Sequence, residues 1–281
     1  MQKNKYNLFF YNNIKMSILF LIIVILILVC IFYKLNNSKS NIEFFNKSKT
    51  VKFFLDDEDN YVGNLTKYDI ISLGCKNHQE YIQKSCEDAR DFTDFEKQKL
   101  EIACTEADDF FRNQLDIPYV DNITLANMPW ILAKTKGEVY EEGYPHTRMN
   151  VIFITDNVVD SSMKNLVRVL IHEKVHVYER LYPHLMNKWL KYHGYKPHKR
   201  LKDYKLGRSN PDLDGWVYTD KNGKENVAIF KNENPKGIDD ATYAYDRKDG
   251  YMAEAPNETL AYYIDYMYAK EKFPYEFLLN V

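Results

Sequence analysis

Two histidines four residues apart, with a glutamate directly after the first, are the residues of this chain best suited to metal chemistry. They lie in the pentapeptide His172-Glu173-Lys174-Val175-His176. Residues four apart project from the same face of a helix, so both imidazoles can reach one ion. Zinc lowers the pKa of a coordinated water toward ~7, and Glu173 can take a proton from that water without binding the metal itself. The spacing therefore predicts one zinc ion, bound by His172 and His176, with Glu173 as the general base.

The third ligand decides which kind of zinc site this is. A metzincin would continue the motif with Gly at 179 and His at 182, but the chain has Glu179 and Tyr182, which excludes that class. Farther along, the segment Asn257-Glu258-Thr259-Leu260-Ala261 resembles the N-E-x-x-A segment of the gluzincins, the thermolysin-like peptidases. The resemblance is carried by these two short motifs and implies that Glu258 is the third zinc ligand. It also implies an enzyme that hydrolyses peptide bonds in a peptide or protein substrate.

The chain departs from the gluzincin pattern just after Glu258. Tyr262 stands where that family often places an aspartate that orients a ligand histidine. Asp265, seven residues after Glu258, lies on the same helical face and is the expected replacement. Peptidases of this type place a tyrosine or histidine beside the developing oxyanion, and Tyr262 is our candidate for that role. Further candidates for it are Tyr243, Tyr245, His146 and His193.

A second segment offers an alternative third ligand. Residues 237–243 resemble, imperfectly, the G-T-x-D-x-x-Y segment of the aspzincins. In that alternative Asp240 would bind zinc and Tyr243 would assist the oxyanion. Ile238 replaces the threonine of the aspzincin pattern, so Glu258 remains the preferred ligand.

Other residues near the motifs have further expected roles. Arg148, just before a candidate strand, is a candidate for binding a substrate carboxylate in the cleft. His184, His193 and His198 follow the helix-stopping Pro183 in a lysine-rich segment, which favours exposure to solvent.

The N-terminal part of the chain contains an apolar run of 18 residues without a charge, Met16 to Tyr33. Its length is typical of a membrane-spanning helix, and no small-x-small cleavage site follows it closely. Lysines precede the run, so we expect residues 1–15 to form a short tail and residues 16–33 an uncleaved signal anchor in the bilayer. A cleaved signal peptide is the alternative. Signal anchors commonly leave a positive N-terminus in the cytosol, which favours a single-pass protein with a lumenal or exterior catalytic domain.

Polarity separates this anchor from the rest of the chain. Residues 34–60 are polar and include the acidic run Asp56-Asp57-Glu58-Asp59, which predicts a stalk with little core to bury. Residues 61–281 contain no internal repeat and no long Pro- or Gly-rich linker, which indicates one metallopeptidase-like domain.

Hydrophobic periodicity and capping signals outline the elements of that domain. Thr93-Asp94-Phe95-Glu96 fits a capping box that starts a helix through Arg112. A second helix, capped by Asp160 or Ser161 and stopped at Tyr182-Pro183, carries the zinc motif. The sequence also predicts two strands, over residues 123–133 and 150–155, and a hairpin of residues 216–219 and 227–230 around 220–223. A final helix is predicted over residues 257–272. Together they predict an α+β, zincin-like fold with a small mixed sheet packed on the active-site helix and on a second ligand helix.

Composition narrows the classes of function. The formal net charge of −2 argues against nucleic-acid binding, which usually needs a basic stripe. The 23 tyrosines and 16 phenylalanines, beside abundant Asn, Lys and Ile, are typical of an AT-rich genome such as that of a virus or a protist. The leading hypothesis is a membrane-anchored zinc metallopeptidase. The alternative is a catalytically inactive, membrane-tethered structural or binding protein that retains the zinc site.

Overall fold

The computed structural model describes residues 22–25, 40–243 and 254–280. The chain divides into two units, Met1–Lys39 and Ser40–Val281. Within the described segments, no helix is long and apolar enough to cross a bilayer. Residues 22–25 are helical, and the remainder of the predicted membrane span over residues 16–33 lies outside the described residues.

Five strands form the central sheet of the second unit. They are β1 (Ile42–Phe44), β2 (Ala89–Arg90), β3 (Trp130–Thr135), β4 (His146–Arg148) and β5 (Val151–Thr155). The order across the sheet is β1-β3-β5-β4, and β2 pairs with the other end of β3. β3 runs parallel to β1 and β5, whereas β2 and β4 are antiparallel to their neighbours. The sheet is mixed and the unit is α+β.

Helices cover both faces of this sheet. In chain order they are α1 (Lys47–Asp56), α2 (Tyr61–Asn64), α3 (Lys67–Ser72), α4 (His78–Asp88), α5 (Asp94–Gln114), α6 (Asn122–Asn127), α7 (Asp156–Asp160), α8 (Met163–Leu181), α9 (Pro183–His193) and α10 (Pro256–Ala269). Alternate residues of β5 join different cores: Ile152 and Ile154 pack with α5, α8 and α10, and Phe153 packs with Phe54 of α1. Strand periodicity of two produces this two-sided burial.

Residues 40–60 are part of the folded unit, and the predicted stalk over 34–60 is wrong for this stretch. β1 pairs with β3, and Phe54 of α1 is only 1% exposed. The acidic run has a structural role, because Asp57 and Asp59 form ion pairs with the buried Arg148. Burying an arginine requires such partners. Arg148 is therefore paired within the core and is not free to bind a substrate carboxylate. The stalk is predicted because charged residues dominate the composition of this stretch, although α1 also contains apolar residues that become buried.

The predicted helix at Thr93 is confirmed, with both hydrogen bonds of its capping box present. The predicted strand over 123–133 is wrong in its first half, because Asp121 accepts a hydrogen bond from the Thr124 backbone N–H and caps α6. β3 begins only at Trp130. Ser162, one residue later than expected, caps α8. Pro183 ends α8 and also starts α9, since proline suits the first position of a helix.

The C-terminal half adds two small sheets and α10. Their strands are β6 (Lys196–Arg200), β7 (Trp216–Thr219), β8 (Glu225–Asn226), β9 (Ala228–Phe230) and β10 (Ala241–Tyr243). The predicted turn over 220–223 does join a hairpin, but the strand after it, β8, is shorter than expected. β9 pairs instead with β10. The final helix forms where the sequence predicts it and ends at Ala269, three residues early.

Candidate metal centre

Two helices that pack against each other build the centre. α8 buries Leu166, Leu170 and Ile171 in the main core and carries His172 and His176 one turn apart. α10 buries Leu260 and Ile264 in the same core. Its first turn carries Glu258, a position where the helix dipole favours a carboxylate. Apolar packing of the two helices thus fixes the separation of the three polar side chains.

The ligand atoms of these three side chains form a nearly equilateral triangle. His172 Nε2 and His176 Nε2 are 3.1 Å apart. Glu258 Oε2 lies 3.3 Å from His172 Nε2 and 3.6 Å from His176 Nε2. Ligands at zinc bond lengths of about 2.0–2.1 Å in a tetrahedron stand roughly 3.3 Å from one another. The triangle matches that spacing, and within the described residues it is the cluster of His, Cys, Asp or Glu side chains that could hold a metal ion.

A carboxylate faces the far nitrogen of each histidine. His172 Nδ1 is 3.3 Å from Asp265 Oδ2, as the helical spacing after Glu258 predicts. His176 Nδ1 is 3.1 Å from Glu179 Oε2. A carboxylate partner fixes the tautomer with the proton on Nδ1 and leaves Nε2 free to bind a metal. Sequence reasoning missed Glu179, although its place three residues after His176 on the same helix was a usable signal.

These orienting carboxylates are themselves held in place. Arg168 Nε donates to Asp265 at 2.8 Å, and Asn257 Nδ2 donates to Glu179 at 3.1 Å. On the other side, Asn210 Nδ2 donates to Glu258 Oε1 at 3.0 Å, leaving Oε2 for the triangle.

The electrostatics of the centre favour a cation. Burial alone would lower the pKa of both histidines, but hydrogen bonds to Asp265 and Glu258 raise the pKa of His172 to about 10. The charge of Glu258 likewise raises the pKa of His176 against the effect of burial. In turn, although burial opposes it, His176 and His172 hold the pKa of Glu258 well below its usual range. The raised pKa values of the two histidines reflect the negative charge of the carboxylates around them, and the same charge favours a divalent metal ion.

Glu173 faces a cleft beside the triangle. The cleft has a volume of about 450 Å³ and is lined by both Glu173 and His172. Glu173 Oε2 is buried and has no hydrogen-bond partner among the described residues. Burial, and then the nearby charge of Asp212, raise the pKa of Glu173. A buried carboxylate oxygen without a partner is costly, so its presence at a cleft points to a ligand or a solvent molecule.

Tyr262 also lines the cleft, and its ring centroid is 4.4 Å from that of His172. Burial raises the pKa of the Tyr262 hydroxyl well above its usual value, so this group stays protonated. His146 lines the same cleft, as expected.

Asp240 is not brought to the histidines. Its carboxylate lies 3.4 Å from Lys231 Nζ and accepts from the Lys236 backbone N–H. Asp240 and Tyr243 flank or lie in β10, away from the triangle of ligand atoms, and Tyr245 lies outside the described residues. The aspzincin-like alternative therefore has no geometric basis here.

His193 is also placed differently from the prediction. It is 2% exposed rather than solvated, and its Nδ1 accepts a hydrogen bond from the backbone N–H of Asn280. It therefore helps to anchor the C-terminal segment and takes no part in the cleft.

Comparison of this chain with known protein families, with curated proteins and with solved structures found no match. The chemical interpretation of the centre thus rests on its own residues.

Proposed function

We propose that this chain is a zinc-dependent peptidase of the gluzincin type, with one zinc ion held by His172, His176 and Glu258. The observation that carries the proposal is the triangle of ligand atoms with edges of 3.1, 3.3 and 3.6 Å. Two imidazoles and one carboxylate are a common ligand set of catalytic zinc, which keeps a fourth position open. The zincin-like arrangement of α8 and α10 against a mixed sheet belongs to the same proposal.

The three side chains suit a zinc ion because their donor atoms are imidazole nitrogens and a carboxylate oxygen, and because neighbouring carboxylates orient both imidazoles. Both imidazoles have an Nδ1 partner, Asp265 or Glu179, and both therefore direct Nε2 toward one point. Zinc bound there would act as a Lewis acid toward a peptide carbonyl and would make water acidic enough to attack it near neutral pH.

Glu173 supplies the proton transfers. It follows His172 by one residue, so its carboxylate projects beside the metal ligands without being one of them. Its buried, unpartnered Oε2 is suited to take a proton from the attacking water and to deliver it to the leaving amine. A site with a purely structural role has no need of such a group, and this observation favours catalysis over the inactive alternative.

Tyr262 supplies a candidate donor for the oxyanion. The pKa of its hydroxyl is raised, so the hydroxyl remains protonated and can donate a hydrogen bond. The ring of Tyr262 packs against the ring of His172, which places this side chain beside the proposed metal site. A fixed donor beside the developing negative charge stabilises the transition state more than the ground state.

The membrane anchor over residues 16–33 belongs to the proposal on sequence grounds alone. An uncharged apolar run of that length predicts a single span, with the catalytic unit on the lumenal or exterior side. The substrate in this proposal is a peptide or protein on that side of the membrane.

The experiment that tests the proposal compares the wild-type chain with Glu173→Gln, each loaded with zinc, against a broad peptide library. We expect the wild type to cleave and the variant to lose at least about a thousandfold in kcat while it retains one zinc ion. A wild-type protein that holds one equivalent of zinc and cleaves no peptide would contradict the enzyme and favour the tethered binding protein.

A further inference from the structure

The cleft beside the metal centre has an acidic wall. Its lining includes six carboxylates and two arginines, so the wall is negative even with a divalent ion at the centre. Both arginines are already compensated: Arg168 pairs with Asp265, and Arg208 pairs with the buried Glu254. The remaining negative charge faces whatever enters the cleft, and electrostatic complementarity favours a cationic group.

Among the described residues, Glu141 is the most buried of the cleft carboxylates that form no ion pair. Its side chain is 3% exposed. Oε1 accepts hydrogen bonds from the hydroxyls of Tyr61 and Tyr81, at 3.0 and 2.7 Å. Among the described residues no lysine, arginine or histidine forms an ion pair with it. Neutral hydroxyls hold the carboxylate in position. Arg208 feels its charge, because Glu141 is one of the groups that raise the pKa of Arg208, but Arg208 forms its ion pair with Glu254. Glu141 therefore has no direct counter-ion among the described residues, which is costly inside a protein.

The turn that carries Glu141 fixes this position. Glu141 and Glu142 lie in the segment Tyr140–Gly143 and have positive φ angles of 47° and 52°. Non-glycine residues adopt this left-handed conformation at a cost of roughly 1–2 kcal/mol each. The Ile238 backbone N–H donates a hydrogen bond to Glu142 in this segment, and Glu141 lines the cleft.

His146 provides a second acceptor on the same wall. Its Nδ1 is 2.9 Å from the carbonyl oxygen of Tyr144, which can only accept, so Nδ1 carries the proton and Nε2 is an acceptor. Burial lowers the pKa of His146 and keeps the ring neutral. Nε2 is buried and has no hydrogen-bond partner among the described residues. The ring packs 4.7 Å from that of Tyr140, the residue before Glu141, and both His146 and Glu141 line the cleft.

We propose that this wall binds the side chain of a lysine or arginine residue of the substrate, with Glu141 as its counter-ion and His146 Nε2 as a further acceptor. The proposal rests on the proposed peptidase function and names its substrate class. An ammonium group offers three donors and a guanidinium five, so either can satisfy both acceptors. An apolar side chain would leave both acceptors unpaired, and an acidic one would be repelled.

The test uses peptides that differ only in lysine, norleucine or glutamate, placed at each position in turn. Binding to the full zinc-loaded Glu173→Gln chain is measured by fluorescence anisotropy, and cleavage is measured with the wild type. At one position we expect lysine to bind at least about tenfold more tightly than norleucine, with the same preference in kcat/KM. A chain that does not distinguish lysine from norleucine at any position would overturn the proposal without the need for any Glu141 variant.

Glu141→Gln then assigns the preference to one side chain. Glutamine keeps an oxygen that can accept from Tyr61 and Tyr81 but removes the charge, so the lysine preference should fall to about twofold or less. Glu138→Gln is the control, the same chemical change at an exposed residue that does not line the cleft, and it should keep the preference. A lysine preference that survives in Glu141→Gln also overturns the proposal. If the wild type binds lysine peptides selectively but cleaves none, the peptidase function fails while the binding site stands.

Discussion

Glu179 offers the most informative perturbation of the centre. It is 4% exposed, it lies 3.1 Å from His176 Nδ1, and Asn257 holds it from the other side. Glu179→Gln retains an oxygen that can face Nδ1 but removes the charge, whereas Glu179→Leu removes the hydrogen bond as well. Loss of such a partner of a metal-binding histidine typically costs 10- to 100-fold in metal affinity. We therefore expect zinc affinity to fall about tenfold in Glu179→Gln and about a hundredfold in Glu179→Leu, or about 1.4 and 2.8 kcal/mol.

The assay is a competitive zinc titration against a chelator at fixed pH, with circular dichroism as a check of folding. Glu101→Gln, the same chemical change at an exposed site on α5, is the control and should bind zinc as the wild type does. If both Glu179 variants retain wild-type affinity, then Glu179 does not orient His176, and the tautomer argument for the centre is refuted.

Two further predictions follow from burial and charge. Tyr262→Phe should lower kcat by about a hundredfold with little change in KM or in bound zinc, measured by steady-state kinetics, because only an oxyanion donor is lost; an unchanged kcat would remove Tyr262 from the mechanism. Burial, and then Lys221, lower the pKa of His193 from 6.5 to about 4. Because the unfolded chain takes up this proton first, the stabilisation is present above pH 6.5 and is lost as the pH falls toward 4. When the pH is lowered from above 6.5 to about 4, the free energy of unfolding should fall in the wild type. In His193→Gln this fall should be smaller by about 2 kcal/mol, as measured by denaturant titration at each pH. The exposed His184→Gln is the control, and equal pH dependence in wild type and His193→Gln would contradict the prediction.

The sequence predicts those parts of the centre that depend on spacing within a single helix. The pair of histidines on α8 follows from helical periodicity, and so does Asp265 once Glu258 is taken as a ligand. Glu258 itself follows from the resemblance of its segment to the gluzincins, and the structure brings these side chains together. The start of α5 could also be predicted, because both hydrogen bonds of its capping box join Thr93 and Glu96, which are only three residues apart.

The parts that could not be predicted depend on tertiary contacts. Residues 40–60 look like a stalk because their charges dominate the composition, yet Asp57 and Asp59 are needed to compensate the buried Arg148. Neither that pairing nor the burial of His193 beside Asn280 has a local signal, because the partners are 87 or more residues apart. The position of Glu141 likewise depends on distant contacts, because its hydrogen-bond donors Tyr61 and Tyr81 lie 80 and 60 residues away in the sequence.

The central claim, a zinc ion held by His172, His176 and Glu258, is tested most directly by the zinc content of the purified chain. We expect one zinc ion per wild-type chain and per Asp240→Ala chain, and far less than one in Glu258→Ala at the same free zinc concentration. A wild type without zinc, or full zinc retention in Glu258→Ala, would contradict the account.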